Sequence, residues 1–425
     1  MIARTAVSAV LRRMRGGRLE IVDESDGGRR HSFGPERAPL QATIVAHDAS
    51  FWTGFARGSL GLGETYGDGA WDCDDLVTLV RIGARNMPGL DRLRAPFAPL
   101  APLLSRIPRN TRTAARRHIS AHYDLGNDMF ELFLDETMTY SCAYWDEGTA
   151  TLQEAQLEKL DRICRKLELT PDDHLLEIGT GWGSLALHAA GEYGCRVTTT
   201  TISAEQRAVA AERARAAGLA DRIEVVERDY RDLRGRYDKL VSIEMIEAVG
   251  WHYFDTFFRH CSELLEADGL MLLQAITIDD RAYEAEKSSR SFIGELIFPA
   301  GCLPSLEVIA RCTARETDMR MVDLEDITAN YPPTLARWRE NFIRAADRAE
   351  ALGYDLRFRR LWELYLAYSE GGFRERRIGD VQMLLAKPAY RGSRLNMRSE
   401  SRSSSTPGPR EANLASASVP PGPST

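Results

Sequence analysis

The sequence predicts an α/β fold, in which helices cover both faces of a mostly parallel sheet, preceded by a small α+β domain. From about residue 115 to 390, short apolar runs alternate with helical stretches, and this alternation is typical of parallel sheets. Three glycines follow the first run in "LLEIGTGWGS" at 175–184, which indicates a tight turn from strand to helix. In such sheets the ligand binds beyond the carboxyl ends of the strands.

The composition is that of a globular protein with reduced thiols. The 425 residues are 44% apolar, enough for about two or three domains with buried cores. A net charge of −7 argues against a nucleic-acid-binding protein. Seven dispersed cysteines without a CxxC pair predict no metal site. Neither a signal peptide nor an apolar run of about 18 residues is present, so we expect a cytoplasmic protein.

Four segments are predicted from changes in composition along the chain. Residues 1–90 contain strand-like runs and an amphipathic helix, and we expect them to form a small α+β domain. Whether this domain engages lipid or membrane, or instead a second subunit, stays open. Residues 91–117 form a linker rich in Pro and Arg, residues 118–390 the large domain, and residues 391–425 a disordered tail. The Arg-rich stretch 105–118 is either a solvated linker or a site of attraction to an anionic bilayer, where each basic group adds about 1 kcal/mol.

The elements of the large domain follow from its hydrophobic pattern. Strands are predicted, in order, at 174–179, 196–202, 222–227, 238–245 and 269–276. Helices are predicted between them at 183–193, 203–217 and 253–266.

The spacing of Gly179, Gly181 and Gly183 favours one class of ligand. Dinucleotide-binding folds use GxGxxG and an acidic residue about 20 positions later, whereas this chain has GxGxG and ends its second strand in "TTTIS". A nicotinamide oxidoreductase is therefore the weaker alternative, and S-adenosylmethionine the favoured ligand. A plain tight turn stays open as the simplest interpretation of the glycines.

Six motifs in order along the chain resemble one family. They are "HYDLGNDMFELFLDETMTYSCAYW" (122–145), "EIGTGWG" (177–183), "TISAEQ" (201–206), "EMIEAVG" (244–250), "FPAGCLPS" (298–305) and "YLAYSEGGF" (365–373). Together they are similar to the cyclopropane-fatty-acyl-phospholipid synthases, which include mycolic acid cyclopropane synthases. "GLGETYGDGAWDCDDL" at 61–76 is similar to the small domain of the members that act on phospholipids. The resemblance implies a Rossmann-like class I methyltransferase domain.

The resemblance also implies a reaction. A methyl group passes from S-adenosylmethionine to the cis double bond of an unsaturated phospholipid acyl chain. The resulting carbocation loses a proton to a bound bicarbonate ion and closes a cyclopropane ring. Proton loss without ring closure would instead give a 10-methylene branch, a precursor of the tuberculostearic type. The site must align the methyl group with the double bond and exclude water.

The matching motifs assign residues to these roles. The resemblance places the bicarbonate pocket at Cys142, Glu247, the backbone of Ile276, and Tyr331, with Gln274 where many members carry His. It places the methyl donor against Tyr140, Ser141, Gly179, Gly181, Gly183, Thr201, Gln206 and Tyr230. A buried thiol, a helix-start glutamate and a core tyrosine are the plain structural alternatives for Cys142, Glu247 and Tyr230.

Partners and competing functions follow from the same resemblance. We expect peripheral association with the inner face of an anionic membrane, and a homodimer from the resemblance alone. The headgroup and the double-bond position stay open. A non-catalytic lipid-binding protein is the alternative from another class, with Gln274 and Ser369 as marks of lost activity. Ser369 replaces a frequent cysteine of the family, and we expect it to pack or to line a pocket.

Overall fold

The computed structural model describes residues 2–94, 126–287, 289–299 and 301–392. The described residues up to Tyr390 form one compact unit. The predicted linker from residue 95 onward, its Arg-rich stretch and the tail beyond residue 392 lie outside the described residues. Among the residues that are described, no helix has the length and apolar character needed to cross a bilayer.

Helices and strands alternate along most of the described chain. The α-helices are α1 (Ile2–Leu11), α2 (Ser50–Ala56), α3 (Gly58–Gly67), α4 (Leu76–Arg94), α5 (Asn127–Phe130), α6 (Leu152–Lys166), α7 (Ser184–Glu192), α8 (Ala204–Ala216), α9 (Phe254–Leu264), α10 (Asp280–Glu286), α11 (Leu306–Glu316), α12 (Tyr331–Arg344), α13 (Ala346–Ala351) and α14 (Leu356–Arg374). The strands are β1 (Arg18–Asp23), β2 (Arg29–Phe33), β3 (Gln41–Ala46), β4 (Trp71–Cys73), β5 (His174–Ile178), β6 (Arg196–Thr201), β7 (Ile223–Glu227), β8 (Tyr237–Ile243), β9 (Leu265–Ile278), β10 (Arg320–Asp326) and β11 (Ile378–Ala386).

The large sheet confirms the predicted α/β class. Within the described chain it has seven strands in the order β10-β11-β9-β8-β5-β6-β7. Strands β5 to β9 are mutually parallel, whereas β11 runs antiparallel to both β9 and β10. Strand β5 has β6 on one side and β8 on the other, so the strand order switches there. A crevice for ligand is therefore expected at the carboxyl end of β5.

Local sequence signals set the ends of the helices around this crevice. Helix α6 begins with a capping box in which Thr151 and Glu154 satisfy each other's backbone amides. The Ser203 side chain caps α8. Gly183 precedes α7 in a left-handed conformation, with φ of 88°, which residues with a side chain rarely adopt. Helices α7 and α8 therefore begin just beyond the carboxyl ends of β5 and β6.

A second, four-stranded sheet has the order β2-β1-β3-β4. Its core includes the fully buried Phe51 and Trp71. Helix α4 packs against α14, and the approach is close because a Cβ at Gly371 would lie 2.7 Å from the Val80 side chain. The division of the chain near residue 90 stays a prediction.

Candidate active site

The glycine turn lies at the carboxyl end of β5, where the ligand crevice was expected. Gly179, Gly181 and Gly183 all have positive φ, at 108°, 53° and 88°, a region that most residues with a side chain avoid. A Cβ at Gly181 would meet nothing within 4 Å, whereas one at Gly179 would touch Met245. The turn therefore leaves open space beside Gly181 and borders the segment that follows β8.

Three other residues assigned to the methyl donor, Thr201, Gln206 and Tyr230, lie at or after the ends of β6 and β7. At the end of β6, the Thr201 hydroxyl donates to Gln206 Oε1 at 2.9 Å. The Tyr230 ring packs edge-on against Phe257, and its hydroxyl is buried with no hydrogen-bond partner among the described residues. The position of Tyr230 is compatible with a core tyrosine, and its contact with adenine stays a prediction.

Tyr140 and Ser141 lie in the segment after α5. The Tyr140 hydroxyl is 2.7 Å from that of Tyr365 on α14. Ser141 is buried, and its hydroxyl accepts a hydrogen bond from Lys159 Nζ at 2.8 Å. Lys159 is itself almost fully buried, and burial lowers the pKa of its amine while the Glu244 carboxylate opposes that change. A buried cation therefore lies next to the expected methionine end of the donor.

A half-buried carboxyl group, that of Glu244, lies at the centre of the predicted catalytic residues. Glu244 directly follows β8 and accepts hydrogen bonds from three groups at once. Cys142 N and Gln274 Nε2 each donate to its Oε1 at 2.8 Å, and the Tyr331 hydroxyl donates to its Oε2 at 2.5 Å. Burial raises the pKa of Glu244, and the three donors and Lys159 oppose the rise. Three of the predicted catalytic residues thus donate hydrogen bonds to one carboxyl group, that of Glu244. Glu244 was not among the residues that the sequence analysis assigned to the site.

Glu247 lies one turn further along and has a different environment. Its Oε1 accepts a hydrogen bond from Ile276 N at 2.6 Å, while its buried Oε2 has no partner among the described residues. Burial raises the pKa of Glu247 to about 8, and the charge of Glu244 adds to the rise. Glu247 is therefore mostly neutral at pH 7.

Strands β9 and β11 complete the cluster through a cross-strand pair. Gln274 and Gln382 are register partners, and Gln382 Nε2 donates to Gln274 Oε1 at 3.0 Å. Gln274 Nε2 also donates to Asp380 Oδ2 at 3.1 Å. Burial raises the pKa of Asp380 well above its usual range, with Glu244 and Glu247 adding to the rise. Gln274 is therefore fixed by carboxyl groups and by its neighbour strand.

The donors that the resemblance assigns to a bicarbonate ion are already bound to carboxyl groups of the chain. Cys142 N, Gln274 and Tyr331 bind Glu244, and Ile276 N binds Glu247. A further anion here would face buried carboxyl groups while the donors assigned to it are engaged, and burial strongly disfavours an uncompensated charge. The residues present do not fit a bicarbonate ion in the expected pocket.

Three ionisable residues of this cluster were not among the predicted site residues. Glu244, Lys159 and Asp380 lie on separate segments that meet only in the fold. Glu244 alone had a local signal, because a carboxyl residue at the end of a parallel strand faces the ligand edge. Ser369 lies half-buried on α14.

Comparisons with known proteins show the family to which the chain belongs. The mycolic acid cyclopropane synthetase family profile matches residues 110–383. The chain is 40% identical over 327 residues to the tuberculostearic acid methyltransferase UfaA1 of Mycobacterium tuberculosis, covering 75% of this chain and 76% of that protein. It is 38% identical over 348 residues to the cyclopropane-fatty-acyl-phospholipid synthase of Escherichia coli K12, covering 80% of this chain and 86% of that enzyme.

A solved structure shares the large domain. The mycolic acid cyclopropane synthase CmaA1, complexed with SAH and CTAB, superposes with a TM-score of 0.60 at 31% identity. The match covers 64% of this chain and 98% of that one.

Proposed function

Because this chain belongs to the mycolic acid cyclopropane synthetase family, we propose that it methylates the cis double bond of unsaturated phospholipid acyl chains and closes a cyclopropane ring. The chain is an S-adenosylmethionine-dependent methyltransferase. The observation that carries the acyl-chain proposal is the hydrogen-bonded cluster around Glu244 near the glycine turn. An alkene is a weak nucleophile, so its methylation needs a dry, aligned site of this kind.

The methyl donor fits the turn at the end of β5. The open space beside Gly181 admits a ligand close to the backbone. Thr201 and Gln206 supply polar groups at the end of β6, and Ser141 with Lys159 supplies a second polar pair. When bound, S-adenosylmethionine supplies an electrophilic methyl group on sulfur.

The reaction requires a proton acceptor after methyl transfer. The π electrons form the new carbon–carbon bond while the carbon–sulfur bond breaks, which leaves a cation on the neighbouring carbon. Removal of a proton from the transferred carbon releases an electron pair that closes the ring. Bicarbonate was expected to accept this proton, but no step is assigned to it because its donors are engaged by Glu244 and Glu247.

A methylene branch is the second candidate product. The 40% identity to a tuberculostearic acid methyltransferase favours it as much as the 38% identity to a cyclopropane synthase favours the ring. Both products share the methyl-transfer step and differ only in the fate of the carbocation. If a hydride first moves to the cationic carbon, loss of a methyl proton gives a double bond in place of a ring.

Association with an anionic membrane surface is part of the proposal. Helix α1 exposes Ile2 and Val10, at 88% and 53%, and exposed Arg12 and Arg13 follow it directly. Apolar side chains beside basic ones are typical of helices that lie at a bilayer interface. A homodimer remains an expectation from the resemblance. Intact Cys142, Glu247 and Tyr331 argue against a non-catalytic lipid-binding protein.

The proposal is tested with purified protein and S-adenosylmethionine carrying a radioactive methyl group. Vesicles of dioleoyl phospholipid should acquire label in extracted lipid, whereas matched vesicles of saturated phospholipid should not, because they offer no π bond. Label in neither lipid, or equal label in both, would contradict methylation of a double bond.

A further inference from the structure

We propose that the carboxylate of Glu244 is the proton acceptor of this reaction, so that the chain supplies from its own residues the base that a bicarbonate ion was expected to provide. The inference rests on the proposed function. It concerns a residue that neither the glycine motif nor the predicted pocket included.

The hydrogen bonds of Glu244 suit an ionised base. A carboxylate has about four acceptor positions, and Cys142 N, Gln274 Nε2 and the Tyr331 hydroxyl occupy three of them. Two of these bonds are on Oε1 and one is on Oε2, so Oε2 keeps a lone pair for a further proton. Donors that are fixed in place hold the carboxylate in one orientation and favour its charged form.

The backbone at Glu244 is strained. Its φ is 46°, in the left-handed region that favours glycine and costs other residues about 1–3 kcal/mol. Glu244 is also half-buried, and removing a carboxyl group from water is costly. Among the described residues, no ion pair at hydrogen-bond distance offsets these costs. Strain and burial at one residue beside a ligand crevice are typical of functional positions.

The two neighbouring carboxyl groups, those of Glu247 and Asp380, have environments that favour the protonated, neutral form. Glu247 has one donor and, among the described residues, an unpartnered oxygen. Asp380 accepts from Gln274 and also lies close to the Glu244 carboxyl group, which raises the pKa of Asp380. Lys159 is the buried cation that faces the cluster. One ionised carboxylate opposite one ammonium group balances the charge, and Glu244 has the most donors. The environments thus assign the base to Glu244 and the neutral acids to its neighbours.

Glu244 is also placed beside the methyl donor. The next residue, Met245, would contact a Cβ on Gly179 at 3.4 Å, so the segment that carries Glu244 borders the glycine turn. In the proposed step, Glu244 Oε2 takes a proton from the transferred carbon, and the electron pair of that C–H bond becomes the third bond of the ring. Glu244 is then neutral, and it returns the proton to water once the product has left.

The test measures the dependence of lipid methylation on bicarbonate, with dioleoyl phospholipid vesicles in buffer depleted of carbon dioxide. Wild-type turnover should be unchanged by added bicarbonate. Glu244→Gly removes the carboxylate and relieves the backbone strain, and it should lower turnover by about 10²-fold or more. Millimolar bicarbonate should restore part of that loss by entering the vacated space. Glu244→Gln should lose turnover equally but without rescue, because its amide fills the same space.

Two controls separate this role from a structural one. Glu168→Gly makes the same exchange at another left-handed glutamate, with φ of 54°, after α6 and outside the site, and turnover should be unchanged. Binding of S-adenosylhomocysteine, measured by calorimetry, should be retained in every variant. Wild-type turnover that requires bicarbonate, or a Glu244→Gln variant of normal turnover, would overturn the inference while leaving the proposed function intact. Absence of lipid methylation under all conditions would instead overturn the proposed function.

Discussion

Two glutamates three positions apart, Glu244 and Glu247, differ in chemistry because their partners differ. Glu244 accepts from three donors, whereas Glu247 accepts from one backbone amide and leaves an oxygen unpaired among the described residues. Hydrogen bonds to the charged form lower a carboxyl pKa and burial raises it. The same balance applies to other buried acids near the crevice.

Glu177, at the end of β5, provides a prediction about pH and stability. It is fully buried, its partner is the Thr199 hydroxyl at 2.6 Å, and burial raises its pKa from 4.5 to about 8. Between these values the unfolded chain has released the proton and the folded chain keeps it. The free energy of unfolding therefore falls as pH rises, by up to about 1.4 kcal/mol per pH unit for this group.

Glutamine at this position cannot ionise, so Glu177→Gln should remove this contribution to the pH dependence of the free energy of unfolding. Urea denaturation from about pH 5 to pH 8 should show the variant gaining stability relative to wild type as the pH rises. The gain should level off above the folded pKa of about 8. Parallel profiles for the two proteins would mean that Glu177 is ionised in the folded state.

At the scale of the elements, two glycine variants can separate the effect of backbone conformation on stability from its effect on ligand binding. Gly181 has φ of 53°, and Gly218, after α8, has φ of 70°; a Cβ at either would meet nothing within 4 Å. Alanine at each should therefore cost about 1 kcal/mol of stability from the backbone alone. Only Gly181→Ala should also weaken binding of S-adenosylhomocysteine, by about tenfold or more.

Calorimetric titration and thermal denaturation of the two variants give these two quantities separately. Equal affinity in Gly181→Ala and wild type would show that the donor does not approach the backbone at this turn. A comparable loss of affinity in Gly218→Ala would attribute the effect to general destabilisation.

The sequence predicted strands β5 and β6 well because most of their residues are buried and are apolar or β-branched. The run at 174–179 contains β5 (His174–Ile178), and the run at 196–202 contains β6 (Arg196–Thr201). It did not predict the last two strands, β10 at the edge of the sheet and β11 beside it. Strand β10 is largely exposed, so it lacks the apolar signal, and Asp380 on β11 joins the site only through pairing with β9.

At the scale of the whole molecule, one arginine of α14 links it to the segment around the four-stranded sheet. Arg360 Nε donates to Tyr66 O at 2.6 Å, and its Nη2 donates to Trp71 O and to Asp72, both at 2.8 Å. Its guanidinium also lies 4.0 Å from the centre of the Tyr66 ring. Removing it takes a donor from the carbonyl groups of Tyr66 and Trp71 and from the Asp72 carboxylate, although Tyr66 O still accepts from Gly69 N at 3.0 Å.

Arg360→Ala should therefore lower the free energy of unfolding by about 2–3 kcal/mol. Arg357, one turn earlier, is the matched control because its single ion pair with Asp68 is exposed, at 49% and 59%. Arg357→Ala should cost less than about 1 kcal/mol. Chemical denaturation of both variants measures the difference, and equal losses would contradict a role for Arg360 in joining these parts.

The central claim is that the transferred carbon enters an unsaturated acyl chain of a phospholipid. The most direct measurement is NMR of lipid extracted after incubating the protein with dioleoyl phospholipid vesicles and S-adenosylmethionine labelled with carbon-13 in its methyl group. We predict label in the upfield signals of a cyclopropane ring. Label in vinylidene signals would replace ring closure by the methylene branch, and absence of label from the acyl chains would contradict the central claim.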